Sequence, residues 1–337
     1  MRRPITIKDV AKKADVSIST VSRVINNSKP VTDQVKQRVL DVIDETGYIP
    51  NPLARSLVTK KSQLIGVIVP EISDYLVNEM LNGIEEVAKM YDYEILLANT
   101  YSDKEQELKC INLLRAKQVE GIVMISNDLQ EEHVEYIKKC SIPVTYMSKN
   151  ANDFDIYTVS VDNEMASYDM TNYLIDLNHK KIALLLNNNE KSVLETERIN
   201  GYKKALNERN IDFDENLIFM SGQNYENGYD TVKRLIEDKV EIDSIFATSD
   251  EIAIGAINAS IDMGMNVPED ISVVGFDDVK MSRIYRPKLT TVHQPLYDIG
   301  AVAIRMVIKL IDVNRLDEKK VNLPHRIIER ESAIKRK

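Results

Sequence analysis

The segment Thr6-Ile7-Lys8-Asp9-Val10-Ala11-Lys12-Lys13-Ala14-Asp15-Val16-Ser17-Ile18-Ser19-Thr20-Val21-Ser22-Arg23-Val24-Ile25-Asn26 carries two helix signals separated by a short turn. Thr6 is a capping residue, and Asp9 is favourably placed in the first turn. Ile7, Val10, Ala11 and Ala14 follow the i, i+3, i+4, i+7 rule and make one apolar stripe. Ser17 is a second start signal. Val21, Val24 and Ile25 of the helix it opens face inward, which leaves Ser19, Ser22 and Arg23 outside. A third helix is predicted from Thr32 through Val35, Val39, Val42 and Ile43 to a stop at Gly47. Two short helices about a tight turn, the second with a small polar face, predict a helix-turn-helix. Its second helix suits the major groove, where Ser and Arg read base edges. The plainer alternative is a three-helix bundle with no DNA role.

Asn51-Pro52-Leu53-Ala54-Arg55-Ser56-Leu57 follows, with an N-cap and a proline at the first helical position. It is barely two turns long, so it is marginal alone in water and predicted to be helical only when held. Leu57 at its end is a candidate minor-groove wedge; a simple linker is the alternative. Charge supports a nucleic-acid partner for this end. Residues 1–60 hold 11 Lys and Arg against 6 Asp and Glu, a net +5, which leaves −14 on the rest of a chain whose total is −9. A basic end on an acidic body neutralises phosphates at that end only.

From Leu64 the pattern changes to apolar strands alternating with amphipathic helices. Strands are predicted at Leu64–Val69, Tyr93–Ala98, Gly121–Ile125, Pro143–Met147, Ile182–Leu186, Leu217–Met220, Ser244–Thr248 and Ile271–Gly275. Helices are predicted near 77–88, 164–177, 197–209, 226–237, 250–263 and 297–311. This βαβ repetition predicts two doubly wound parallel-sheet modules facing across a cleft. Such folds bind ligands beyond the carboxyl ends of their strands. Those ends carry Glu71, Ser73, Asn99, Asn127, Asp250 and Asp277, with Arg198 opening a helix nearby, a set suited to a polyhydroxylated ligand. Polar loop ends are common, so each residue alone says little.

At 337 residues with 43% hydrophobic and 29% charged residues, the chain reads as an ordinary globular protein of two or three units. No apolar run approaches the roughly 20 residues of a membrane span. The N-terminus has no signal-peptide pattern, and Cys110 and Cys140 have no metal or redox spacing, so a cytoplasmic setting is expected. No dinucleotide, P-loop or nucleophile-elbow motif is present and the four histidines are scattered. Neither an enzyme nor a cofactor is therefore expected.

The motifs Thr6–Ala11, Val16–Val24, Gly47–Asn51 and Asn51–Leu57, in that order, resemble the headpiece and hinge of the LacI/GalR family of transcription regulators. The resemblance implies a headpiece at 1–48, a hinge with a short helix at 49–61, and a periplasmic-binding-protein-like sensor at 62–332. One sensor subdomain is expected at about 62–161 and 294–323, the other at about 162–293 and 324–332. It further implies a homodimer on pseudo-palindromic operator DNA, contacted through Thr6, Ser17, Ile18, Ser19, Thr20, Ser22, Arg23, Asn51, Ala54, Arg55 and Leu57. Arg198 before Asn200-Gly201-Tyr202, Thr248–Glu251 and Gly275–Asp278 are similar to family motifs whose Arg and Asp contact effectors. The expected cleft set is Ser73, Asn99, Arg198, Asp250 and Asp277, for a sugar or sugar phosphate.

Gln294–Arg305 and Leu323-Pro324-His325-Arg326 resemble the catabolite-control subgroup, although Met306 stands where a leucine is expected. In that subgroup the co-repressor is the phosphocarrier protein HPr, or a paralogue, phosphorylated on a serine. The resemblance places Tyr297, Asp298, Val302, Arg305 and Lys309 against it, and the helical spacing puts Asp298, Val302, Arg305 and Lys309 on one face. A repressor of one sugar operon is the nearest alternative. A sugar-binding transport protein would share the sensor fold and lack the headpiece. No tetramerising heptads follow Leu323, so a dimer is expected rather than a tetramer.

Overall fold

The structure, a computed structural model, describes residues 5–26, 29–49, 61–126, 131–139, 142–148, 155–187, 193–313 and 315–336. It divides into two compact units, Met1–Gln63 and Leu64–Lys337. In the first, α1 (Ile7–Lys13), α2 (Ile18–Asn26) and α3 (Asp33–Thr46) form a three-helix domain. The Asp9 carboxylate accepts from the Thr6 backbone N–H at 2.9 Å and from its hydroxyl at 2.7 Å. Ser17 Oγ accepts from the Thr20 N–H at 3.1 Å, which starts α2. Gly47 ends α3 at φ +61°, a conformation that costs a side chain strain and glycine none. Val10, Ala11, Ala14, Val21, Val24, Val39 and Val42 are buried at the centre. Small side chains let three short helices pack closely.

The second unit holds two six-stranded sheets. The first is built from β1 (Leu64–Val69), α4 (Tyr75–Met90), β2 (Glu94–Asn99), α5 (Lys104–Ala116), β3 (Gly121–Ser126), α6 (Glu131–Lys139), β4 (Val144–Ser148) and β5 (Tyr157–Val161). The second follows with α7 (Asn163–Asp176), β6 (Ile182–Leu186), α8 (Val193–Glu208), β7 (Ile218–Met220), α9 (Tyr225–Glu237), β8 (Ser244–Ala247), α10 (Asp250–Asp262), β9 (Ser272–Asp277), α11 (Lys280–Ile284) and β10 (Thr290–His293). The chain then returns through α12 (Leu296–Val313) to β11 (Lys320–Leu323) and crosses once more to β12 (Arg326–Ile328). Strand orders are β11-β5-β4-β3-β1-β2 and β12-β10-β9-β8-β6-β7. Every pairing is parallel except β10 with β12.

Each sheet is covered on both faces, as apolar strands such as Leu64–Val69 and Ile182–Leu186 require. On the first sheet α4 and α12 pack over one face, in contact with Val67, Val123 and Val159. In both sheets the order reverses where β1 meets β3 and where β6 meets β8. Ligands bind at the carboxyl ends of strands at such switch points. Strands β5, β10, β11 and β12 and helices α5, α6 and α11 were not predicted; the strands are only three to five residues long, too short for a periodic signal. Among the described residues no helix is long and apolar enough to cross a membrane.

Candidate functional site

In the headpiece, the buried Val21 and Val24 fix which face of α2 turns out. That face presents Ser17, Ile18, Ser19 and Arg23 as exposed residues, with Ser22 and Thr20 partly covered. Ile18 is 45% exposed. Ser17 spends its hydroxyl on Thr20 and Ser19, and Thr6 on Asp9, so both double as helix caps. Asn51, Ala54, Arg55 and Leu57 lie outside the described residues.

In the second unit the switch points of the two sheets border a cavity of ≈ 510 Å³. Glu71, Ser73 and Asp74 come from the end of β1 and the start of α4. Thr248, Ser249, Asp250 and Glu251 come from the end of β8, and Asp277 from the end of β9. Asn187, Gln223 and Asn224 follow β6 and β7 and add amides. Ser73 and Asp277 both line this cavity. Asp277 does so at φ +113°, a strained backbone for a non-glycine residue, and accepts from Gln294 Nε2 at 2.6 Å. Gln294 begins the return crossover from β10 to α12, so this bond ties the cleft edge to the connection between the two sheets.

Three cleft expectations need correction. Arg198 does not open its helix, because α8 starts five residues earlier at Val193, where Leu194 is buried. Its side chain is 2% exposed and turned inward. Nη1 donates to the Thr248 carbonyl at 2.8 Å and lies 3.5 Å from Glu195 Oε1, while Cζ stands 4.0 Å over the Phe276 ring. Arg198 lines an adjoining cavity of ≈ 80 Å³ between Met80, Leu296 and Gln294, which shares Asp74, Leu76 and Leu194 with the larger one. It does not share the larger cavity with Asp277. Asn99 lines neither cavity; its amide oxygen faces the Tyr101 N–H at 3.5 Å in the turn after β2. Asn127 lies outside the described residues.

Asp250 is the third. It borders the cleft, but its carboxyl is fully buried and directed to internal donors: Val279 N–H at 2.8 Å, Ser282 Oγ at 2.6 Å and Thr291 Oγ1 at 2.5 Å. Burial, and then the charge of Asp277, push its pKa up to about 8, against the three hydrogen bonds. An acid whose folded pKa lies above its unfolded value of about 3.9 keeps a proton that the unfolded chain gives up. The stability it contributes is fully present below that unfolded value and is lost as pH rises through about 8. Thermal melts should therefore show stability falling between about pH 6 and about pH 8, by up to about 1.4 kcal/mol per pH unit. Asp250→Asn should flatten that slope, since an amide can present its oxygen to Val279 and Ser282 and its NH2 to Thr291. An unchanged slope in the variant would refute the assignment.

Asp278, which the sequence did not single out, is a hub. Its carboxylate accepts from Arg283 Nη2 at 2.9 Å, His293 Nδ1 at 3.1 Å and Arg330 Nη2 at 2.5 Å, joining α11, β10 and the C-terminal segment. On the first sheet, α12 turns Tyr297, Asp298, Arg305 and Lys309 to solvent, with Val302 partly exposed among them. The residues between, from Ile299 to Ile308, are buried against α4 and the sheet. The Tyr297 hydroxyl meets Glu86 of α4, which holds its pKa above the usual tyrosine value, with Arg305 nearby.

A helix-turn-helix headpiece joined in one chain to a two-sheet, cleft-bearing sensor defines a transcription regulator that responds to a bound signal. Residues 62–331 match the periplasmic binding proteins and sugar binding domain of the LacI family, and residues 6–51 the bacterial regulatory proteins of the lacI family. The chain belongs to the LacI family, whose members are regulators and not enzymes. It is 40% identical over 328 residues to catabolite control protein A of Priestia megaterium, covering 97% of this chain and 99% of that one. The lac repressor dimer bound to operator and an anti-inducer superposes with a TM-score of 0.90 at 25% identity, over 98% of this chain and all of that one. The transcription regulator CcpA of Lactococcus lactis superposes at 0.75 with 36% identity, over 80% of this chain and 98% of that one.

Proposed function

We propose that the chain is a cytoplasmic, dimeric regulator of carbon catabolite control that binds a pseudo-palindromic operator, with serine-phosphorylated HPr as its co-repressor. The observation that carries the co-repressor is the solvent face of α12. It sets two cations, Arg305 and Lys309, one turn apart beside the partly exposed Val302 and the aromatic Tyr297. A phosphoserine brings close to two negative charges and three acceptor oxygens, which a guanidinium fork holds by charge-assisted hydrogen bonds, while Val302 meets an apolar centre. The unphosphorylated carrier offers Arg305 little, so phosphorylation acts as the switch. The catabolite control proteins to which the chain is similar support the same reading. The partner raises operator affinity by binding the DNA-competent state better, with residues 49–61 as the hinge.

The test is titration of a labelled operator with and without serine-phosphorylated HPr. Wild type should gain affinity, and Arg305→Ala should lose the gain. Charge-assisted bonds of about 1.5–3 kcal/mol correspond to roughly a tenfold to hundredfold weaker partner affinity. The large cavity favours a second reading, a repressor of one sugar operon released by its small-molecule effector. If wild type gains nothing from the phosphoprotein, that second reading replaces the first.

A further inference from the structure

β9 ends and its loop begins in two consecutive non-glycine residues in the left-handed region, Asp277 at φ +113° and Asp278 at φ +58°. Such backbone is uncommon for residues with a Cβ, and it persists only where the surroundings hold it. Both side chains reach the same short stretch of chain. Asp277 Oδ1 accepts from Gln294 Nε2 at 2.6 Å, and Asp278 Oδ2 accepts from His293 Nδ1 at 3.1 Å. His293 closes β10, and Gln294 opens the crossing to the first sheet. The Leu296 N–H then bonds back to the Gln294 carbonyl at 2.9 Å, so the first residue of α12 is tied to the held pair.

Asp278 is anchored in the second sheet as well. Its Oδ1 accepts from Arg330 Nη2 at 2.5 Å. Arg330 is itself fixed, with Nη1 on the Leu289 carbonyl at 2.7 Å and its N–H on Thr290 Oγ1 at 2.9 Å. The Asp278 side chain is 3% exposed, so these charge-assisted bonds are made away from water, where they are strong. α12 belongs to the other sheet. Leu296 and Ile299 sit in the first core, and Gly300 brings the α12 backbone against Met80 of α4. Tyr297 and Asp298, in the first turn of the same helix, stand on the face proposed for the phosphoprotein.

We propose that Asp277 and Asp278 are a coupling clamp, positioning residues that join the first turn of α12 on the first sheet to β9 and β10 on the second. A partner seated on Tyr297 and Asp298 then acts on the second sheet through Gln294 and His293. The inference rests on the phosphoprotein reading of α12 and adds the route by which that binding is transmitted. A shift of the first turn drags the two held residues, and each is bonded to a residue whose backbone has a less strained conformation to relax into. Packed elements with two such arrangements switch between them and do not deform smoothly. A plain structural tie would raise stability and transmit nothing.

Hydrogen exchange on the full chain, with and without serine-phosphorylated HPr, tests the clamp. In wild type the phosphoprotein should slow exchange on α12, where it sits, and by roughly tenfold across β9 and α11 on the other sheet. In the double variant His293→Ala with Gln294→Ala, protection should stay on α12 alone. Its affinity for the phosphoprotein should remain within about threefold of wild type, because Arg305 and Lys309 are untouched. Arg283→Ala is the control. It removes another bond to Asp278, from a half-exposed side chain, and leaves the crossing alone, so the spread should persist. Where the double variant does not fold, Gln294→Ala alone, which leaves Asp278 fully paired, should still reduce the spread. Spread that survives in the variants, whatever their melting temperatures, overturns the clamp, as does protection confined to α12 in wild type. If the phosphoprotein does not bind wild type, the partner reading fails and the inference with it; binding without spread ends the inference alone.

Discussion

Gly300→Ala should lower the melting temperature of the sensor by roughly 2–8 °C, although it adds one methyl group to a helix. Gly300 on α12 lies where a Cβ would come 2.0 Å from the carbonyl oxygen of Met80 on α4, and Gly83 on α4 answers with 2.0 Å to the carbonyl oxygen of Tyr297. The two helices therefore touch backbone to backbone, and no side-chain rotamer can relieve the clash. Two effects oppose each other. Alanine is the better helix former by about 1 kcal/mol. Forcing the helices apart opens the layer where Ile84, Val87, Ile304 and Val307 meet, and overpacking of this kind costs about 1–3 kcal/mol or more. Overpacking wins because the obstacle is backbone. Gly264→Ala is the control: at φ +85° with nothing within 4 Å, it should cost only the strain of the left-handed conformation, about 1 kcal/mol. Equal melting temperatures for the two variants would show that the helices can separate freely. The same contact sets where Tyr297 and Arg305 stand, so Gly300→Ala should also weaken the proposed binding of the phosphoprotein.

The headpiece was legible because its signals are local. Thr6, Asp9, Ser17 and Gly47 act within four residues of themselves, and each, like Thr32, stands at the helix end its chemistry predicts. The doubly wound sheets were legible from buried apolar runs such as Leu64–Val69 and Ile182–Leu186. The fate of a side chain at a strand end was not. Arg198 and Asp250 carry the charge that a ligand site needs, yet Phe276 and Glu195 draw the first inward, and Ser282 and Thr291, some 30 to 40 residues away, hold the second. No spacing in the sequence announces Phe276, Ser282 or Thr291, although Glu195 stands three residues before Arg198. Asn224 and Gln223 could have been found, since they follow a predicted strand under the same rule that picked Ser73. The stripe on α12 was legible because a 3.6-residue period sorts Asp298, Val302, Arg305 and Lys309 from their buried neighbours.

Arg23→Ala should cut discrimination between operator and random DNA by roughly 30-fold or more. Arg23 is exposed on the face of α2 opposite the buried Val21 and Val24, and among the described residues it forms no ion pair. Its guanidinium is therefore available to a base edge. A bidentate arginine–guanine contact is worth about 1–3 kcal/mol. A dimer on a two-fold operator makes it twice, so the loss is about 2–6 kcal/mol, or roughly 30-fold to 10⁴-fold in affinity. Arg23→Lys tests the chemistry more sharply, because an ammonium keeps the charge and loses the fork. If Arg23 reads a base, the lysine variant stays near the alanine one on operator while retaining most of its affinity for random DNA. If Arg23 instead holds a phosphate, lysine restores binding. Alanine then weakens operator and random DNA alike, and the slope of log affinity against log salt becomes shallower by about one per protomer. Titration of both DNAs across a range of salt, for wild type and the two variants, decides between base reading and phosphate holding at this position.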